Sequence, residues 1–435
     1  MKYISTNTTA SAVSLKDAVL TSMPSDGGLY MPEQLIPLDP DSLRKLPEMS
    51  FQEVSLLLTK AYLEDDVQVT DLEHIVSESM NFDVQLHKLD DQTSILETFH
   101  GPTMAFKDFG ARFMAQLMSH LIRGENHELT ILVATSGDTG SAVASGFLGI
   151  PGIRVIILYP SGKVSHRQEM QLTTQGQNIT ALEVDGSFDD CQQMVKIAFV
   201  DQEVSKRLML SSANSINIAR LLPQSFYFTW AAGQVMKHSR DIVFSVPCGN
   251  FGNITAGLIA KRMGVPIQHF VAATNLNAVF PEYLKTGLLN TRPSHPTISN
   301  AMDVGNPSNL DRIRYLYEDD LNRMRSDISS WSYTDDQTRI MIQETYSKFG
   351  YISDPHTAVG LLGYHEYQAQ KKKNMQGIVI STAHPAKFPE TVEPLIDCMI
   401  DIPPQLTRFL QREKQAMPMS SDYTEFKQYL LDASG

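Results

Sequence analysis

The stretch IVFSVPCGNFGNITAGLIAKRM, residues 242–263, decides the fold class that we predict for this chain. It opens with a short apolar run, turns through glycine and asparagine at 249–253, and continues with helical spacing from residue 254. A strand, a tight turn and a helix in this order form the unit of an α/β protein with a parallel sheet. Small residues at a helix start let backbone N–H groups approach an anion, so the turn predicts a phosphate site. A plain turn on which the helix packs closely is the structural alternative.

Five other short runs of β-forming residues alternate with helical patterns, at 129–134, 154–159, 179–184, 270–273 and 377–381. Strands that alternate with helices predict parallel sheets covered by helices on both faces. Ligands of such sheets bind at the carboxyl ends of the strands, so a site is expected in the loops that follow these runs. The glycine-rich turn has neither the Lys–Ser/Thr of a P-loop nor the GxGxxG spacing, which disfavours a nucleoside triphosphate or NAD.

The chain is expected to have three parts. Residues 1–92 are predicted to form a mainly helical N-terminal domain, because 50–53 (SFQE) and 70–73 (TDLE) are capping-box patterns that open stretches of helical spacing. Residues 93–212 are expected to form a small α/β domain that contains the segment around Lys107, and 213–435 a large α/β domain that contains the glycine-rich turn.

Composition argues against several classes of protein. A chain of 435 residues that is 42% hydrophobic can bury a core without disulfides or metals. Its net charge of −13 argues against a nucleic-acid surface or an anionic membrane as partner. No run approaches the length of a membrane span, no secretory signal opens the chain, and Cys191, Cys248 and Cys398 match no metal-ligand spacing. We therefore expect a soluble, cytoplasmic protein with reduced cysteines and no metal site.

One lysine, Lys107, lies among apolar and aromatic residues in the segment HGPTMAFKDFG, residues 100–110. Poor solvation there would lower the pKa of its ammonium group and leave a neutral amine that can attack an aldehyde. This is the chemistry of enzymes that use pyridoxal phosphate. A lysine that lays its stem along apolar surface and keeps its charged end in water is the structural alternative.

Hydroxyl groups follow two of the predicted strands. The loop ATSGDTGS, residues 134–141, contains Ser136 and Thr139 and forms a polar cradle, although a capped helix start explains it too. The run ISTAHP, residues 380–385, ends a strand with Thr382, whose hydroxyl is well placed to hydrogen-bond the nitrogen of a heteroaromatic ring.

Cations also lie on polar loops beside predicted strand ends. Lys163 follows one strand, and Arg220 closes the segment that contains Ser215 and Asn217. Such groups bind carboxylate or phosphate, although surface placement is their default interpretation. Residues 292–310, rich in Pro, Gly, Ser and Asn, are predicted to form a long loop of a kind that is often functional.

Together these segments resemble one family, threonine synthase, which belongs to the fold-type II enzymes that depend on pyridoxal phosphate. The resemblance implies an α/β fold of the tryptophan synthase β type, with parallel-sheet domains and a helical N-terminal segment. The matching stretches occur in the family's order over nearly the whole chain: HGPTMAFKDFGARFMAQ from 100, ATSGDTGSAV from 134, LYPSGK from 158, SANSINIARL from 212, SVPCGNFGNITAGL from 245, SNAMDVGNPSN from 299 and GIVISTAHPAKFPE from 377.

The resemblance also implies roles for individual residues. Lys107 is implied to hold the cofactor as a Schiff base and to move protons, and Thr382 to contact the pyridine nitrogen. The cofactor phosphate is assigned to Gly249, Asn250, Phe251, Gly252 and Asn253. The substrate is assigned to Lys163, Ser136, Thr139, Ser215, Asn217 and Arg220.

The implied reaction converts O-phospho-L-homoserine and water into L-threonine and phosphate by γ-elimination and β-addition of water. A phosphohomoserine lyase or a serine/threonine dehydratase that releases a 2-oxo acid is the alternative within enzymes, since it would share the lysine and the phosphate loop. A non-catalytic binding protein that kept the fold is the alternative outside them. The expected partner is the small-molecule substrate O-phospho-L-homoserine, and neither a nucleic acid nor a membrane is expected to bind. A homodimer is plausible for the family.

Asp138 departs from the wider fold-type II pattern, in which many relatives carry an asparagine that donates to the phenolate oxygen of the cofactor. A carboxylate cannot donate unless it is protonated, and two anions in contact repel each other. Either Asp138 turns away to cap its helix, or another group donates to the phenolate.

Overall fold

The computed structural model describes residues 1–125, 127–135, 137–239, 241–371 and 375–432. These residues form two sheets covered by helices, together with a two-stranded ribbon near the N-terminus. The thirteen strands of the described residues are β1 (Tyr3–Ser5), β2 (Tyr30–Pro32), β3 (Gln85–Lys88), β4 (Thr93–Glu97), β5 (Leu129–Ala134), β6 (Ile153–Pro160), β7 (Ile179–Asp185), β8 (Met209–Ser212), β9 (Ile242–Pro247), β10 (His269–Thr274), β11 (Ile328–Ser332), β12 (Gln376–Ser381) and β13 (Ala416–Ser420).

The larger sheet has six strands in the order β11-β10-β9-β12-β4-β3. All neighbours are parallel except the edge strand β3, which pairs antiparallel with β4. Parallel strands end at the same edge, so the loops after β9, β12 and β4 emerge side by side, with the β12 loop in the middle. This edge of the sheet carries the candidate site.

The smaller sheet has five parallel strands in the order β13-β7-β6-β5-β8. Its inner strand β5 is buried along its whole length, as expected for a parallel strand covered on both faces. The loops after β5 and β6 leave the carboxyl edge of this sheet; among the described residues, the first contains Thr135 and Gly137 and the second contains 161–165.

Helices cover both sheets and make up most of the N-terminal region. Three 3₁₀ turns, at Leu46–Glu48, Asn300–Met302 and Pro385–Lys387, supplement them. The α-helices of the described residues are α1 (Leu15–Thr21), α2 (Pro40–Lys45), α3 (Phe51–Leu63), α4 (Val69–Ser79), α5 (Lys107–Leu121), α6 (Asp138–Phe147), α7 (His166–Thr173), α8 (Phe188–Val200), α9 (Gln202–Arg207), α10 (Ile218–Leu221), α11 (Gln224–Met236), α12 (Gly252–Arg262), α13 (Val279–Thr286), α14 (Leu310–Leu316), α15 (Leu321–Asp327), α16 (Asp335–Phe349), α17 (Pro355–Lys371), α18 (Pro389–Ile396), α19 (Pro404–Leu410) and α20 (Tyr423–Asp432).

The structure confirms the six predicted strands, which are β5, β6, β7, β9, β10 and β12. One of the two predicted capping boxes is also confirmed: Ser50 and Glu53 bond each other's backbone N–H at the start of α3. The second is wrong, because α4 begins at Val69 with Gln68 as its cap, which places Thr70 inside the helix.

The two sheets do not follow the predicted linear division of the chain. Strand β3 lies before residue 93 and β4 begins at residue 93, yet both belong to the six-stranded sheet. Strand β13, near the C-terminus, returns to the five-stranded sheet and pairs with β7. The reason is that sheets are completed by partners distant in sequence, which a linear change of pattern does not reveal.

The N-terminal region packs into the main core of the protein. Val54 of α3 and Leu72 of α4 share one apolar cluster with Phe109 of α5 and Phe228 of α11. No helix in the described part of the chain is both long and apolar enough to cross a membrane. The described residues also contain no group of three or more His, Cys, Asp or Glu side chains that could hold a metal ion.

Candidate active site

Three loops meet at the carboxyl edge of the six-stranded sheet. They follow β4, β9 and β12 and carry Lys107, the turn 249–253 and Thr382. Because β12 lies between β9 and β4, Thr382 lies between the lysine and the glycine-rich turn. The sheet order therefore brings together three segments that sequence analysis identified separately.

Backbone hydrogen bonds join the lysine loop to the threonine loop. Phe106 N–H donates to the Thr382 carbonyl at 2.9 Å, and His384 N–H donates to the Met104 carbonyl at 3.1 Å. Lys107 is the first residue of α5, directly after the first of these bonds. The position of Lys107 is thus fixed relative to Thr382 by the main chain.

Lys107 is half-buried, and its ammonium group lies 5.8 Å from the centre of the Phe106 ring. Burial is the main cause that lowers the pKa of Lys107; Asp138 opposes it, and the nearby charges of Lys387 and Arg220 add to it, so that the pKa is about 8. A lysine with this pKa is about one-tenth neutral at pH 7, compared with less than about a thousandth for a free lysine. The residues around Lys107 in the sequence predict a lowered pKa, and the pKa in the structure is shifted in that direction.

The glycine-rich turn opens α12 without a side-chain cap. Phe251 has a left-handed backbone with φ of 60°, which turns the chain sharply from β9 into the helix. A Cβ atom on Gly249 would lie 2.7 Å from Met302 Cα, so only glycine fits at that position. An uncapped helix start built from such residues has backbone N–H groups that are available to an anion.

The long loop 292–310 packs over this turn through Asn250 and Asn309. Asn250 donates from Nδ2 to Ser215 Oγ at 2.6 Å and accepts from Ser308 N–H at 2.6 Å. Asn309 is fully buried, and its Nδ2 has no hydrogen-bond partner among the described residues. That nitrogen lies 3.5 Å from the position that a Cβ on Gly252 would occupy. A buried amide donor left free beside an uncapped helix start fits an anionic group.

Asp138 is bound to a second lysine. Lys387 Nζ lies 2.5 Å from Asp138 Oδ1 and donates to the Thr103 carbonyl at 3.0 Å. Gln168 Nε2 donates to the same carboxylate oxygen at 2.9 Å. Burial opposes ionisation of Asp138, but Lys387 and Lys107 hold its pKa below the ordinary value. Asp138 therefore does not cap its helix, and its charge is balanced by lysine.

Arg220 and Asn217 lie on the segment that leads into α11. Arg220 is buried and donates from Nη1 to the Ala213 carbonyl, while its Nε has no partner in the described part of the chain. Burial lowers its pKa to about 10. Asn217 caps α10, and its Nδ2 donates to the carbonyls of Val19 and Ser212 and to a serine hydroxyl. The amide of Asn217 is therefore occupied in binding the N-terminal helix to this segment, and the assignment of Asn217 to the substrate stays a prediction.

The remaining predicted substrate residues are dispersed around the site. Ser215 accepts from Asn250 and so lies beside the glycine-rich turn. Thr139 is half-buried on α6, next to Asp138, and Lys163 is exposed on the loop after β6. Ser136 lies outside the described residues.

Sequence reasoning missed Lys387, Gln168, Asn309 and Arg312. Lys387 lies within AHPAKFPE and Asn309 within SNAMDVGNPSN. Both stretches resemble the family, so the sequence identifies the two segments but not the roles of these two residues. A buried lysine or amide surrounded by apolar residues could have been noticed, but its partner lies far away in the chain.

The comparisons with known proteins cover nearly the whole chain. Residues 85–382 match the family described as pyridoxal-phosphate dependent enzyme, 2–80 match the threonine synthase N terminus, and 357–430 match threonine synthase, C-terminal. A threonine synthase of Haemophilus influenzae is 41% identical over 420 residues, which are 96% of this chain and 97% of the relative.

Solved structures agree with these matches. The crystal structure of a threonine synthase of Brucella melitensis with bound pyridoxal phosphate has a TM-score of 0.94 and 34% identity, and the alignment covers 100% of this chain and 99% of the other. That of the Escherichia coli threonine synthase has a TM-score of 0.91 and 36% identity, with 100% of both chains covered.

Proposed function

The chain belongs to the threonine synthase family, and from that membership we propose which of its residues carry out the reaction. The enzyme converts O-phospho-L-homoserine and water into L-threonine and phosphate, with pyridoxal phosphate as its cofactor. The observation that carries the residue assignment is the convergence of Lys107, Thr382 and the glycine-rich turn at one sheet edge.

The residues at this edge fit pyridoxal phosphate. The free Asn309 amide and the uncapped start of α12 suit its phosphate, the weakly basic Lys107 amine suits its aldehyde, and the Thr382 hydroxyl suits its ring nitrogen. When bound, the cofactor withdraws electrons from the substrate's Cα and so acidifies the neighbouring carbon. We assign Gly249, Asn250, Phe251, Gly252 and Asn253 to the phosphate and Lys107 to Schiff-base attachment.

Lys107 Nζ is proposed to take the proton from substrate Cα and to return protons later in the reaction. Its lowered pKa suits this double role, because an acid–base group works best when its pKa lies near the working pH. Asp138 and Lys387 carry opposite charges beside it and thereby set how readily it holds a proton.

The departing phosphate needs cations, since negative charge develops on it as the bond to the γ carbon breaks. We assign this function to Lys163 and Arg220, with Ser215 and Thr139 as hydroxyl donors. Arg220 has a buried, unpartnered Nε that supports the assignment. Lys163 is exposed on the loop after β6, at the carboxyl edge of the smaller sheet, and its side chain is flexible.

The decisive experiment is incubation of the purified protein with pyridoxal phosphate and O-phospho-L-homoserine, with phosphate and threonine measured together. Equal amounts of both are expected. Phosphate accompanied by a 2-oxo acid and no threonine would favour the lyase alternative instead. The comparisons do not favour that alternative, since the matched N- and C-terminal regions are those of threonine synthases.

Two further properties are proposals. A cytoplasmic location is supported by the three unpaired cysteines, of which Cys191 and Cys248 are buried and Cys398 is exposed. Fractionation of the producing cells tests it. A homodimer stays a prediction, which light scattering on the purified protein tests.

A further inference from the structure

Arg312, on α14, is a fully buried arginine that joins three parts of the chain. Its Nε and Nη2 donate to the Tyr30 carbonyl at 3.2 and 3.0 Å, and Nη2 also donates to the Ile216 carbonyl at 2.6 Å. Its Nη1 donates to the Ser215 carbonyl at 3.2 Å and to Asn309 Oδ1 at 2.7 Å. The guanidinium thus binds the N-terminal ribbon, the segment before α10 and the loop over the phosphate turn.

No carboxylate among the described residues pairs with Arg312, since all five hydrogen bonds end on carbonyl or amide oxygens. Burial lowers its pKa to about 9. A buried cation without a nearby anion raises the free energy of the folded protein, so an anion bound close to Arg312 would stabilise it. Buried Lys387 differs, because Asp138 balances its charge.

The bond to Asn309 decides which way that side-chain amide points. Since Arg312 Nη1 holds Oδ1, the other end of the amide, Nδ2, faces the start of α12, and no group in the described part of the chain binds it. It lies 3.5 Å from the position of a Cβ on Gly252. An unconstrained amide could rotate by 180° and present its oxygen, which would repel an anion.

A second connection runs through Ser215. Arg312 fixes its carbonyl, while its hydroxyl accepts from Asn250 Nδ2, and Asn250 in turn accepts from Ser308 N–H. The guanidinium of Arg312 therefore holds Asn309 and Ser215, whose side chains lie beside the glycine-rich turn at 249–253.

We propose that Arg312 is a positioning residue for the cofactor's phosphate: it orients Asn309 and Ser215, and its charge is balanced by the phosphate dianion bound at the start of α12. The inference rests on the proposed function for its ligand. Through Tyr30 it also makes the N-terminal ribbon a part of the cofactor site rather than a packing appendage.

The test compares the affinity of Arg312→Met and Arg312→Lys for pyridoxal phosphate and for pyridoxal, which lacks the phosphate, by absorbance titration of the cofactor-free protein. Arg314→Met is the matched control, because Arg314 lies on the same helix but is partly exposed and paired with Asp319. Circular dichroism first establishes that each variant is folded.

Arg312→Met is expected to weaken binding of pyridoxal phosphate by about tenfold or more and binding of pyridoxal by less than about twofold. Arg312→Lys keeps the positive charge but loses the planar set of N–H donors, so its affinity for pyridoxal phosphate should lie between those of Arg312→Met and the wild type. If Arg312→Met does not fold, the same comparison is made with Arg312→Lys. Equal losses for both ligands, or unchanged affinity for pyridoxal phosphate, would overturn the proposal. A wild type that binds pyridoxal phosphate but makes no threonine would refute the proposed function and leave this comparison intact.

Discussion

Lys387 Nζ lies 2.5 Å from Asp138 Oδ1, and the two residues follow strands of different sheets. Asp138 begins α6 after β5 of the smaller sheet, whereas Lys387 follows β12 of the larger one. Arg167 of α7 adds a second bond between the same regions through the Ala386 carbonyl. The pair therefore joins the two sheets at the side of Lys107 and resolves one alternative left by the sequence, since Asp138 does not turn away to cap its helix.

We expect Asp138→Asn and Lys387→Met to shift the protonation of Lys107 in opposite directions. Removing the carboxylate leaves Lys107 facing only cations, which lowers its pKa, whereas removing Lys387 leaves Lys107 as the cationic partner of Asp138, which raises it. Each shift should be on the order of one pH unit. The measurement is the rate at which the cofactor-free protein gains near-visible absorbance with pyridoxal phosphate, as a function of pH.

The groups that face Lys107 are Asp138 on α6, Lys387 after β12 and Arg220 on α10. The wild-type rate should rise with pH through about 8, because the neutral amine reacts. If the pH–rate profiles of both variants shift in the same direction, or if neither profile shifts, the pair holds the sheets together without changing the pKa of Lys107.

Lys107→Ala should abolish the near-visible absorbance of the bound cofactor and lower activity by at least about a thousandfold, because the variant lacks both the attachment point and the proton carrier. The melting temperature should stay close to that of the wild type, since the half-buried side chain makes no structural hydrogen bond of its own among the described residues. Lys163→Ala is the control for removal of a lysine and should keep the wild-type spectrum. Identical spectra for Lys107→Ala and the wild type would refute the assignment.

The sequence identified the interior of the fold better than its edges. Strands β9 and β12 are apolar because both faces are buried, and such runs are easily read. The edge strand β3 is largely exposed and β13 mostly so, which leaves no apolar run to detect. The missed strand β4 is short, with polar residues at both ends.

The same physical reason explains which site residues were found. Lys107 and the glycine-rich turn carry their chemistry in neighbouring residues, so a local pattern suffices. Lys387 and Arg312 act on partners that only the folded chain brings near them. Asn217 is assigned to the substrate because its residue type suits a substrate contact, whereas the contacts of its amide with Val19 and Ser22 appear only in the folded chain.

Asn217→Ala is accordingly expected to reduce stability rather than substrate affinity. The change removes the cap of α10 and the bonds to Val19 and Ser212, which together should lower the free energy of unfolding by about 1–3 kcal/mol. Urea unfolding measures the loss, and KM for O-phospho-L-homoserine should stay within about twofold of the wild-type value. A large rise in KM with unchanged stability would support the assignment to the substrate.

Thr382→Val should lower kcat by about tenfold, because the isosteric change removes only the hydroxyl that is proposed to meet the ring nitrogen. Thr382→Ser keeps that hydroxyl and should retain most of the activity. The backbone carbonyl that binds Phe106 N–H is present in both variants, so the loops stay joined. Steady-state kinetics with saturating cofactor distinguish the two, and equal activity of both would exclude a role for the hydroxyl.

Lys163→Met and Arg220→Lys separate the two cations assigned to the substrate's phosphate. Lys163 is exposed and makes its contribution only when substrate is present, so its loss should raise KM by about tenfold and leave stability unchanged. Arg220 is buried against Gly110, where a Cβ would lie 3.0 Å from its Nε, so its replacement should affect both KM and the melting temperature. Inorganic phosphate, a product, should inhibit each variant more weakly than the wild type if that cation binds the leaving group. Unchanged phosphate inhibition in Lys163→Met would remove Lys163 from the site and leave Arg220 as the assigned cation.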